Sequence, residues 1–181
     1  MNKKTHTKLH VTGIYEILPG IILMLLPIEP VGLYLDLAGF LLITSGLIQL
    51  WHANGGFQLS LSMGVLCTAL TAALFFVETE WLAAAVPLCY CVLLYDMCTS
   101  FAKLSFSVGD HHMGKHFISH MWMDIAATLA ETAVHLFGLP HVVVYVFIAI
   151  AIFFELMLMV HMYKFYRLHE GQAAGGQRVP V

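Results

Sequence analysis

The stretch VFIAIAIFFELMLMV, residues 146–160, surrounds one carboxylate, Glu155, with apolar side chains only. A hydrocarbon core about 30 Å thick is crossed by roughly 20 helical residues. With its flanks, this run predicts a membrane-spanning helix over 141–164. The rest of the chain suits the same solvent. Hydrophobic residues make up 60% of the 181 and charged residues only 10%, with a mean hydropathy of +0.83. Water-soluble domains carry about 25% charged residues, so this chain could not keep its apolar surface solvated in water.

Five further spans are predicted over 11–27, 33–52, 59–77, 81–103 and 117–137. PIEP (27–30), ANGG (53–56), VETE (77–80) and GLP (138–140) supply the turns, through residues that end helices for backbone reasons. SFSVGDHHMGK (105–115) reads as a longer polar loop. The expected fold is all-α and polytopic, with six transmembrane helices arranged as three hairpins. One domain covers 1–170, and the Gly- and Ala-rich residues 171–181 form a flexible tail.

The basic residues test this layout independently. Lys3, Lys4, Lys8, Lys103, Lys115, Lys164, Arg167 and Arg178 all fall on one predicted side, whereas the opposite turns carry Glu29, Glu78 and Glu80. The positive-inside rule then places both termini in the cytoplasm. The basic start followed by an apolar run imitates a signal peptide, but Glu16 interrupts it and no small-residue cleavage site follows. An uncleaved first helix fits better. Cys67, Cys89, Cys91 and Cys98 all lie inside spans without a CxxC pair, which predicts small buried hydrophobes rather than a disulfide or thiolate-metal framework.

Glycines recur every seven residues, at 13 and 20 and again at 32, 39 and 46. Such stripes let helix backbones approach closely where lipid offers little hydrophobic drive for association. Together with Pro27, Leu42 and Ser45, Gly39 and Gly46 make the segment 13–51 resemble the hairpin repeat of the HdeD-like family of small bacterial membrane proteins. The resemblance implies a six-helix protein of the bacterial inner membrane, associated with stress and acid resistance. It brings no catalytic residue set.

Polar groups inside the spans carry the functional expectations. Glu16, Asp96, Asp124 and Glu155 lie about five to ten residues from the cytoplasmic helix ends, roughly 8–15 Å deep. A charge at the bilayer centre costs about 2.5–3.5 kcal/mol on insertion scales, so each such group needs a protein, water or ion partner. The fifth span is the densest: His116, His120, Asp124, Glu131 and His135 follow at spacings of four, four, seven and four, which keeps them on one helical face. His120 with Asp124, and Glu131 with His135, stand one turn apart, as ligand and orienting partner or as two ligands to one ion. Asp36, His111, His112 and the ends of the stripe have plain interfacial roles available to them.

Three functions follow from these groups. Protons or a cation could be transported or sensed along a pathway of Asp124, Glu131, Glu155, His120, His135, Glu16 and Asp96. Alternatively, His116, His120, Asp124, Glu131, His135 and His161 could bind a divalent metal, copper or haem in a redox protein. Methionines beside these histidines suit copper but equally fill membrane cores. A third possibility is structural, a stress-response protein acting through homo-oligomers in the bilayer. The formal charge of −3 and the lack of a basic face argue against nucleic acid, and Walker, Rossmann and nucleophile-elbow motifs are missing.

Overall fold

A computed structural model describes residues 11–26, 31–77, 79–137 and 141–174, excluding the side chains of 135, 141, 144 and 170–174. These residues form six helices and no strand: α1 Ile14–Met24, α2 Gly32–Asn54, α3 Gln58–Leu74, α4 Glu80–Ser107, α5 His111–Leu136 and α6 His141–Ala174. Each helix packs against its neighbours in sequence, and α1 also packs against α6, closing the order into a ring.

Among the described residues, three helices are long and apolar enough to cross a membrane: Gly32–Asn54, Glu80–Ser107 and, within α6, Tyr145–His169. Ile14–Met24 and Gln58–Leu74 are apolar but shorter. At 1.5 Å per residue, the 11 residues of α1 span only about 16 Å, less than the full stretch expected from 11–27. The 26 residues of α5 suffice in length, but Lys115, Asp124, Glu131 and five histidines lower its apolar character. α6 continues to Ala174, so the start of the tail expected at 171 is helical, and 175–181 lie outside the described residues.

The expected polar loop at 105–115 is reduced to Val108–Asp110. Gly109 takes a left-handed φ of 87°, and the Asp110 N–H donates to the Ser105 carbonyl at 2.9 Å, which closes α4 tightly. Asp110 then starts the next helix, because its Oδ1 accepts from the Met113 N–H at 2.9 Å. One aspartate thus ends α4 and caps α5, and α5 gains an extra turn carrying His111 and His112.

The glycine stripes meet where α1 crosses α2. A Cβ on Gly20 would stand 2.7 Å from the Gly39 carbonyl oxygen, and one on Gly13 or Gly46 would run into the other's backbone. Gly32 stands in open space and takes no part. Ile14, Ile17, Ile21, Ile43, Leu47 and Leu50 pack around the crossing, fully buried.

Between α3, α4, α5 and α6, near the α4–α5 turn, four buried phenylalanines interlock. Phe101 meets Phe57, Phe117 and Phe165 with ring centroids 5.1, 5.5 and 6.1 Å away. Edge-to-face and offset contacts of this kind add to the burial of each ring. The core near the α4–α5 turn is therefore packed with aromatic side chains.

Candidate functional site

A cavity of about 360 Å³ lies among α1, α2, α4, α5 and α6. Its polar lining comes from Asp36 on α2, Tyr90 on α4, Thr128 and Glu131 on α5, and Glu155 on α6. The Tyr90 hydroxyl donates to Glu155 Oε1 at 2.8 Å, with both groups buried. A second cavity of about 640 Å³ shares Pro87, Thr128 and Glu131 with the first and reaches Glu80 and Leu136 at the α3–α4 end. Pro87 lacks the N–H that would bond the Ala83 carbonyl four residues back, and both residues line this second cavity. Carboxylates from three helices therefore line the first cavity, and Glu131 lines the second as well.

Asp124 lies between this region and the α4–α5 end. It is fully buried, and neither carboxylate oxygen has a hydrogen-bond partner among the described residues. Glu155 interacts with it electrostatically. His120, one turn away, has its Nδ1 buried without a partner as well. The expected His120–Asp124 bond is therefore not made.

Further towards the α4–α5 end, α5 and α6 run antiparallel and bring imidazoles together. Ligand nitrogens of His116, His120 and His161 all lie within 4.8 Å of one another. The His161 ring centroid is 4.8 Å from each of the other two. His161 Nδ1–H donates to the Met157 carbonyl at 2.7 Å, which fixes the ring and leaves Nε2 as its free lone pair. His112 extends the row, its Nε2 3.3 Å from His116 Nε2. For His116, outside the predicted 117–137 span, desolvation holds the pKa below the usual histidine value, helped by the nearby His112, His161 and Lys164.

The expected residues thus separate into distinct places. Glu131 and Glu155 face the cavities, Asp124 is sealed behind them, and His116, His120 and His161 form a cluster of their own. The six-residue metal set does not assemble as one centre, because Asp124 and Glu131 lie further along α5 than the imidazoles. The His135 side chain lies outside the described residues. Glu16 accepts a hydrogen bond from Gln49 Nε2 across the α1–α2 pair.

Asp96 has a structural position. Its Oδ2 accepts from the Ser60 N–H at 2.8 Å and from the Ser60 hydroxyl, satisfying a donor in the first turn of α3. Asp96→Ala is expected to lower stability by about 1–2 kcal/mol, the usual cost of losing such a cap. An Asp96→Ala variant of full stability would refute this capping role, as thermal unfolding measures.

Three site residues were not selected from sequence. Tyr90 has no distinguishing spacing, and Asp36 resembled an interfacial group. His112 could have been found, since 112, 116, 120 and 124 continue one four-residue series once helix is allowed back to 111. No protein-family model, curated protein or solved structure matches the chain.

Proposed function

We propose that this chain is a bacterial inner-membrane protein that moves or senses protons or a cation through its polar interior. All six helices lie in the bilayer as three hairpins, in one domain over 1–170, with both termini in the cytoplasm. The one-sided distribution of lysine and arginine supports that orientation, and the likeness of 13–51 to the HdeD-like repeat supports the hairpin plan and a role in envelope stress. The observation that carries the function is the convergence of Asp36, Glu131, Glu155 and the Tyr90 hydroxyl on one cavity, with Glu131 shared by the cavity beside it. Carboxylates kept at membrane depth cost stability and persist where they serve an ion or proton.

The α3–α4 end faces outward in this arrangement, so ions enter beside Glu80 and reach Glu131 and then Glu155. Asp124 is the next acceptor inward, one turn from His120. The test is flux in proteoliposomes under an imposed pH gradient or potential, read with an internal pH dye and with Na⁺ and K⁺ electrodes. The parent protein should conduct one of these ions, and Glu155→Gln should reduce that flux at least about tenfold. A parent without flux, or an unaffected variant, removes transport and leaves sensing or the structural, oligomeric role.

A further inference from the structure

The imidazole cluster at the α4–α5 end is not needed to explain the carboxylate cavities, and its geometry points to a ligand of its own. We propose that His116, His120 and His161 form a binding site for a borderline divalent transition metal of the Zn²⁺ class. Water completes the coordination.

The donor set decides the class of ion. Three neutral imidazoles with no carboxylate among them suit zinc, copper or nickel, whereas Mg²⁺ and Ca²⁺ take oxygen donors. Tetrahedral zinc with Zn–N distances of about 2.0–2.1 Å holds its ligand nitrogens about 3.3 Å apart. The three nitrogens already lie within 4.8 Å, so side-chain rotations of an ångström or so complete the cage.

Orientation supports the same ion. The His161 Nδ1–H bond to the Met157 carbonyl is the kind of supporting contact that fixes a metal-ligating histidine's tautomer and presents Nε2 outward. Histidines at 112, 116 and 120 recur every four residues and so share one face of α5. His161 answers them from the antiparallel α6, so the site crosses a helix pair and links it. Rings serving only as packing would not need their nitrogens to converge. The Lys164 ammonium acts on His116 and opposes a cation, but Lys164 is exposed, so solvent screens it.

This site meets the proposed ion pathway only at His120, and its test does not use flux. Full-length protein in detergent is stripped with a chelator and dialysed against Zn²⁺, and bound metal is counted by elemental analysis. One Zn²⁺ per chain is expected, with Mg²⁺ and Ca²⁺ unable to compete. His120→Ala and His161→Ala should weaken binding more than about 100-fold, beyond the 10–100-fold typical of losing a supporting contact. His52→Ala, at an exposed histidine elsewhere, should bind as the parent does. Zn²⁺ should raise the thermal midpoint of the parent and leave that of His161→Ala unmoved. Co²⁺ substitution keeps the proposal falsifiable on the unaltered chain, because a tetrahedral nitrogen site gives intense visible absorption. No bound zinc in the parent, no such Co²⁺ spectrum, or equal zinc affinity in the histidine variants overturns the proposal.

Discussion

Gly46→Leu is expected to unfold the α1–α2 pair, with a loss of more than about 3 kcal/mol, at the upper end of what overpacking costs. A side chain at 46 meets the Gly13 backbone and Ile17 of α1, and neither can rotate away as the tip of a flexible side chain could. The helices must separate, and the buried Ile14, Ile17, Leu47 and Leu50 lose their contacts together. Gly32→Leu is the control. Nothing lies within 4 Å of a Cβ there, so its effect should stay within about 0.5 kcal/mol. Unfolding titrations in mixed micelles measure both, and equal stabilities of the two variants would refute the close crossing.

Asp124 should respond in the opposite direction. Its two oxygens are buried without hydrogen-bond partners among the described residues, and an unsatisfied buried polar group costs about 1–3 kcal/mol. Asp124→Leu removes those oxygens and is expected to stabilise the protein by about that amount. The isosteric Asp124→Asn should abolish ion flux while leaving the fold intact. That pair of outcomes would mark Asp124 as a residue retained for function at a cost in stability. A destabilised Asp124→Leu would instead reveal an interhelical bond and support the structural role.

How much could be read beforehand differs from element to element. The α1–α2 crossing was legible because glycines at sevens have one physical use between helices, and four of the five meet as pairs. The helical stripe on α5 was legible too, since fixed spacing puts residues on one face whatever that face meets. What it met was not legible. Whether His161 lies opposite His116, or Glu155 opposite Tyr90, depends on the register between helices, which intrahelical spacing does not encode. The short α4–α5 turn was missed for a local reason. Asp110 and Gly109 read as loop-formers in the sequence, although the same pair can end one helix and cap the next.

The phenylalanine cluster has a bearing on which ion could pass. Phe57, Phe101, Phe117 and Phe165 fill the space between four helices below the cavities, and none is solvent-exposed. A sodium or potassium ion travels with oxygen ligands around it, and aromatic rings packed in contact offer none. A proton moves by exchange between hydrogen-bonded groups and needs no such ligands, so the proposed route from Glu155 to Asp124 and His120 suits it once water bridges Asp124 and His120, which do not bond each other. In the proposed transport, these rings would favour protons over sodium or potassium because they offer a cation no oxygen ligands, not through any charge of their own.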